Sequence, residues 1–156
     1  MVLSQISHIL EQLVAIYGLP GLFIASFLGS TVFVPFPTEV VFPLLRAFGV
    51  SSLAILLVAS AASVAGLYVN YQVGYRSVKY LGKKIKKKRG QKAKKIIQEY
   101  GDVGLFIIIV FPVFPADPLT TIAGMAEMDI QRFLIISALA KLIRYGTVLG
   151  VVNLFV

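Results

Sequence analysis

The hydrophobic pattern is dominated by two long apolar runs and by two further apolar regions broken by proline. From Ser51 to Tyr75 there is neither a charge nor a proline over 25 residues. At about 1.5 Å per residue, such a helix is roughly 37 Å long, enough to cross a hydrocarbon core of about 30 Å with some tilt. A second long run, Phe133–Val156, carries only Lys141 and Arg144. The segment 2–16 reads differently. Val2, Leu3, Ile6, Ile9, Leu10, Leu13 and Ile16 recur at helical spacing with polar residues between them, which predicts an amphipathic helix at a membrane interface. It does not read as a signal peptide, because a basic leading region is missing and Glu11 interrupts the apolar pattern.

All seven prolines lie in the two broken regions: Pro20, Pro35, Pro37 and Pro43 in the first, Pro112, Pro115 and Pro118 in the second. Proline removes a backbone donor and breaks the helix ladder. Unpaired backbone is not tolerated against lipid, so such breaks must be buried in protein or line a wet cavity. Each break carries an acid, in Phe36-Pro37-Thr38-Glu39 and in Phe114-Pro115-Ala116-Asp117. Both regions, 17–49 and 100–127, read as re-entrant helical hairpins that enter and leave on one side, with Pro35, Pro37, Pro112 and Pro115 as the breaks.

The order of features repeats. Tyr17-Gly18 precedes Gly21-Leu22-Phe23, and Tyr100-Gly101 precedes Gly104-Leu105-Phe106. Each set is followed by the acidic proline break, then a glycine (Gly49 or Gly124), then a long span. Gly49 to Gly66 and Gly124 to Lys141 are each 17 residues. A duplication of hairpin plus single crossing gives halves of opposite orientation, the inverted-repeat plan of many transporters. Complete crossing by the hairpins remains the alternative topology.

Composition agrees with a membrane setting: 58% of residues are hydrophobic and the mean hydropathy is +0.87. Charge then sets orientation. Ten of the 15 Lys and Arg fall between Lys79 and Lys95. In a soluble protein such a run suggests nucleic acid. Directly after a membrane span it reads as a cytoplasmic loop obeying the positive-inside rule, attracted to anionic headgroups, so no nucleic-acid partner is expected. In that segment Leu81, Ile85, Ile96 and Ile97 suggest a sparse amphipathic helix interrupted near Gly90, or else a solvated loop. The absence of cysteine excludes disulfides and thiolate chemistry.

These residues resemble a known family. Pro35-Phe36-Pro37-Thr38-Glu39 with Gly49 is similar to the PxPxE…G signature of the DedA / VTT membrane proteins. Gly66, Gly74 and Tyr75 lie where that family has a Gly/Tyr-rich first span, and Phe111–Asp117 with Gly124 resembles its second hairpin. Lys141-Leu142-Ile143-Arg144-Tyr145 resembles the GKxxRY stretch of the YqaA-like branch. The chain departs from the pattern at Phe111, where many members have an arginine, and at Ala140, where the motif has glycine. The resemblance implies movement of undecaprenyl phosphate or phospholipids between leaflets, membrane homeostasis and dependence on the proton gradient.

A charge at the bilayer centre costs at least about 2.5–3.5 kcal/mol on insertion scales, so each one needs a reason. Glu39 and Asp117 are candidate proton-coupling groups; the structural alternative is that each accepts hydrogen bonds from donors freed by the prolines. Lys141 and Arg144 share a helix face at i, i+3. They are candidate ligands for an anionic headgroup, Arg with its planar fork and Lys as a point charge, or they form structural salt bridges to the two acids. Arg46 is a third headgroup ligand or a residue snorkelling to the interface. Gly66 and Gly74 are expected to permit close helix approach. HExxH, GxSxG, P-loop and metal-binding histidine patterns are missing from the sequence, so neither an enzyme, a metal site nor a cofactor is expected.

The sequence therefore predicts an all-α integral membrane protein, multi-pass in the cell membrane and a single membrane domain over 1–156. It comprises an amphipathic N-terminal helix (2–16) and two inverted repeats. Each repeat is a re-entrant hairpin plus one transmembrane helix (17–49 with 51–75, 100–127 with 130–154), joined by a cytoplasmic basic segment (76–99). The expected function is a lipid flippase or scramblase for an anionic lipid. Transport of a small anion or ion, or a non-transporting interaction role, are the alternatives. With two full spans per chain the polar core is thinly covered, so a homodimer is expected.

Overall fold

The computed structural model of the chain describes residues 2–31, 33, 36–80, 83–111 and 116–155, with side chains at all of these except 2–4, 7, 83–90, 93, 116, 117 and 155. Every regular element among them is helical: α1 (Val2–Tyr17), α2 (Leu19–Gly29), a 3₁₀ turn (Thr38–Val41), α3 (Phe42–Ala47), α4 (Ser52–Tyr80), α5 (Lys83–Val110), α6 (Ala116–Met125) and α7 (Ile130–Phe155). Two helices, Ser52–Tyr80 and Ile130–Leu154, are long and apolar enough to cross a membrane. Pro35, Pro112 and Pro115 lie outside the described residues.

The chain divides into two compact units, one built from 1–66 with 141–156 and the other from 67–140. In the first, Leu10 and Val14 of α1 pack with Leu22 and Ala25 of α2, Phe42 and Leu45 of α3, Ile55 and Ala59 of α4, and Tyr145 and Leu149 of α7. The apolar positions of α1 are thus divided. Ile6, Leu10 and Val14, four apart on one stripe, face protein, whereas Ile9 and Ile16 are exposed. Gly66 lets α4 approach α2 closely: a Cβ there would meet the Phe27 carbonyl oxygen and the Ser30 side chain.

In the second unit, Leu67 and Tyr71 of α4 pack with Leu105 and Ile109 of α5, Leu119 and Ala123 of α6, and Phe133 and Ala140 of α7. Glycines meet reciprocally where α4 crosses α6. A Cβ on Gly74 would strike the Thr121 carbonyl, and one on Gly124 the Tyr71 carbonyl. Beside this crossing, buried Asn70 donates to Thr120 at 3.3 Å.

The basic segment is helical and runs unbroken through Gly90, so the interruption expected there is corrected. The real break is at Gly101, whose φ of 61° and ψ of −169° lie in a region only glycine tolerates. Gly18 has a similar φ of 60° between α1 and α2.

A second local structure also recurs. After α3, Gly49 (φ 79°) donates to the Arg46 carbonyl and Val50 to that of Leu45, and Ser51 Oγ then accepts from Ala54 N at the start of α4. After α6, Glu127 (φ 56°) donates to Gly124 and Met128 to Ala123, and Asp129 Oδ1 accepts from Arg132 N at the start of α7. Both are helix-ending turns with a left-handed residue followed by an N-cap. The equivalent positions are 78 apart, the same interval that separates Glu39 from Asp117. By this turn geometry Gly49 matches Glu127 in place of Gly124, and at the same interval Gly66 matches Arg144 in place of Lys141.

Gly101→Ala is expected to cost about 1–3 kcal/mol, read as a lowered melting temperature in detergent, because no L-residue fits that backbone. Gly146→Ala, within a helix where a Cβ would meet nothing within 4 Å, is expected to be neutral or to stabilise by up to about 1 kcal/mol. Equal effects at the two positions would contradict the kink.

Candidate functional site

Among the described residues, the most deeply buried charges lie in the first unit. Pro37, with φ −73° and ψ 92°, turns the chain into the 3₁₀ turn Thr38–Val41, and Glu39 sits in the first turn of that element. Arg144 projects from α7 and its Nε donates to Glu39 Oε1, a close charge-assisted contact. The two side chains are only 14% and 15% exposed. An ion pair this enclosed is held by geometry and not by solvent, and losing one partner strands the other.

One turn earlier on α7, Lys141 is 6% exposed. Its Nζ donates to Ser30 Oγ and to Tyr145 Oη, each at 3.2 Å. It also lies 5.1 Å from the Tyr145 ring centroid. The hydroxyl contact already places it at the ring's edge, so the ring face contributes little. Among the described residues, its polar partners are thus hydroxyls and none is a carboxylate. Tyr145 joins the arrangement together: its hydroxyl is 2.6 Å from Ser63 Oγ, and its ring meets Phe42 edge-on at 5.3 Å. Phe42 lies three residues after Glu39, so α7 contacts the first break through Lys141, Arg144 and Tyr145. Ser26 Oγ, in the same unit, is buried without a partner.

Arg46 is placed otherwise. Its Nε donates to Asn153 Oδ1 at 2.9 Å and its Nη1 to the Val50 carbonyl at 2.8 Å, and Ser52 Oγ donates to the same Asn153 oxygen at 3.0 Å. These bonds fasten the last turns of α7 to the junction of α3 and α4. Asp117 lies in the first turn of α6, and its side chain is outside the described residues. No group of three or more His, Asp or Glu that would hold a metal occurs among the described residues.

The structure therefore joins Glu39 and Arg144 directly and sets Lys141 one turn away. Sequence reasoning missed Ser30, Ser63 and Tyr145. The available signal was polar residues at helical spacing inside apolar runs, Ser26 with Ser30 and Lys141 with Tyr145, each pair four apart.

Among the described residues the regular structure is helical, and the two membrane-length helices with charges enclosed by protein fit a membrane protein. The family model described as VTT domain matches residues 34–154, and the chain belongs to that family, the DedA family of membrane proteins. It is also similar to a protein of Methanocaldococcus jannaschii named Uncharacterized protein MJ0201, with 26% identity over 148 residues, covering 94% of this chain and 91% of the relative. No solved structure matches. Membership points to a membrane-transport or flippase-like role in a family generally regarded as non-enzymatic.

Glu39→Ala and Arg144→Ala are each expected to destabilise by about 2 kcal/mol, and the double variant by clearly less than the sum, because the second removal relieves a stranded charge. Thermal unfolding of the three variants in detergent measures this coupling, and simple additivity would contradict it.

Proposed function

We propose that this protein moves an anionic lipid, a polyprenyl phosphate or a phospholipid, between the leaflets of the membrane, coupled to protons, and so serves membrane homeostasis. The observation that carries this reading is the enclosed Arg144–Glu39 pair with Lys141 one turn away on the same helix. The pair is neutral as a unit, while Lys141 has hydroxyl partners only among the described residues, so the site as described has a positive excess. A positive excess in a low-dielectric interior attracts an anion strongly.

Glu39 is the gate in this scheme. While ionised, it occupies the guanidinium fork of Arg144. Protonation removes its charge and frees the fork for a phosphate oxygen, with Lys141 as the second contact. Asp117, 78 positions after Glu39 in the matching break, is assigned the same role in the second half. Arg46 is the weakest of the three cationic ligands, because binding would require it to release Asn153 and the Val50 carbonyl.

The proposed arrangement is two inverted repeats, each a re-entrant hairpin plus a spanning helix. Residues 76–99 are cytoplasmic, both termini lie on the opposite side, and two copies form a dimer. Three features support it. The α2 and α6 helices, of 11 and 10 residues, are about half the roughly 20 residues a crossing needs. The glycine kinks and the capped turns recur in order in the two halves. The positive charge is concentrated between the two long helices. Placement in the YqaA-like branch rests on the Lys141–Tyr145 motif.

The test is leaflet exchange of fluorescent polyprenyl phosphate and phospholipids in proteoliposomes, with and without a pH gradient. Wild type is expected to catalyse exchange that responds to the gradient. Arg144→Ala is expected to abolish it while the protein stays folded, and Glu39→Gln and Asp117→Asn to remove the gradient response. Intact exchange in folded Arg144→Ala sinks the headgroup role. A folded wild type without exchange shifts the function to a small anion or to an interaction role.

A further inference from the structure

The most highly charged part of the chain is untouched by this site. Residues 83–95 hold nine Lys or Arg and no acid, and they form one helix that continues to the kink at Gly101. Like charges three and four apart oppose helix formation, so such a helix calls for a neutralising surface. Among the described residues, the protein supplies little of one. Lys92, Lys94 and Lys95 are exposed. Lys94 reaches Glu127 at 3.8 Å, but both side chains are about half exposed, and a pair in that setting binds weakly.

The helix is held at both ends. It begins three residues after α4 ends at Tyr80, so its start lies within about 10 Å of that terminus. At its other end, half-buried Ile96 and Ile97 pack on the core that contains Phe133 of α7. Lys94 reaches Glu127, three residues before α7 begins. In the proposed topology the end of α4 and the start of α7 lie on the same side of the membrane. A helix fixed near both points runs along the membrane surface, not away from it.

We infer that the helical segment 83–100 docks on the cytoplasmic leaflet through anionic lipid headgroups. Its cations then lie within about a Debye length, roughly 8 Å, of the negative surface. Nucleic acid would meet the same charge, but residues 83–95 contain no aromatic residue on which a base could stack. The surface belongs to the second unit and Arg144 to the first, and the kink at Gly101 is all that divides the surface from the rest of α5.

The chain has no cysteine, so a single probe can be introduced at exposed Gln91. Full-length Gln91→Cys is placed in nanodiscs of phosphatidylcholine alone or mixed with phosphatidylglycerol, and its labelling by a water-soluble maleimide is timed at low and high salt. Labelling is expected to slow about tenfold with the anionic lipid and to recover at high salt. The same probe in a chain with Lys83, Lys84, Lys86, Lys87 and Lys88 all changed to Gln is expected to label at one rate in both lipids. Equal labelling of the original probe in both lipids overturns the proposal, as does protection that ignores salt. Protection that appears only when an RNA oligonucleotide is added overturns it in favour of nucleic acid.

Discussion

The contact between Arg144 and Glu39 constrains the interior of the first unit. A charge enclosed by protein is tolerated only when it is matched, and a guanidinium matches a carboxylate at one distance and orientation. The middle of α7 is thereby held against the turn that follows Pro37. Its neighbours acquire their places from that contact. Tyr145 meets Phe42 just beyond the same turn, and Lys141 reaches back to Ser30 at the end of α2. Three positions on one helix thus reach both arms of the proline-broken region, the end of α2 and the turn that leads into α3.

The spans were legible in the sequence because length and hydropathy decide them. The predicted runs 51–75 and 130–154 become Ser52–Tyr80 and Ile130–Phe155. The first extends into the predicted basic segment because Arg76 and Lys79 are compatible with helix, and only solvent differs there. Gly90 leaves the helix unbroken. Glycine weakens a helix by about 1 kcal/mol relative to alanine, which neighbouring residues absorb, whereas the backbone of Gly101 demands a residue without Cβ. The opposed charges and the proline breaks were also legible, and they mark Glu39, Lys141 and Arg144 as candidates. Salt bridges from these cations to the two acids were one of the readings open to the sequence; which cation takes which acid was not, since a carboxylate and a guanidinium 105 positions apart carry no local signal. The hydroxyls of Ser30 and Ser63 lie 111 and 82 positions from the α7 residues they meet, and only the four-residue spacing of polar positions, as of Lys141 and Tyr145, hinted at such partners.

The repeat illustrates a finer limit. Counting from glycine to glycine aligned Gly49 with Gly124, because glycine is the usual residue at a left-handed helix end. In the second half that position is Glu127, at φ 56°, a conformation uncommon for a side chain of that type. The hydrogen bonds around it, and not its identity, reveal the equivalence. Asp129 and Ser51, two different residues, likewise perform one capping function because each offers an oxygen to the backbone donor three residues on.

At the 78-residue interval, the two long helices differ where the charges lie. Arg144 stands opposite Gly66 and Lys141 opposite Ser63, each pair 78 apart. At Gly66 a Cβ would collide with the Phe27 carbonyl, so α4 uses that position for close packing and has no room there for a cation. Ser63 meanwhile bonds to Tyr145, the residue that also receives Lys141. One helix has kept small residues that bring backbones together, and the other carries the charges. A cation at both positions would double the expense of burying charge and would also open the packing that encloses the pair. A single cationic face therefore follows from the same constraint that joins Arg144 to Glu39.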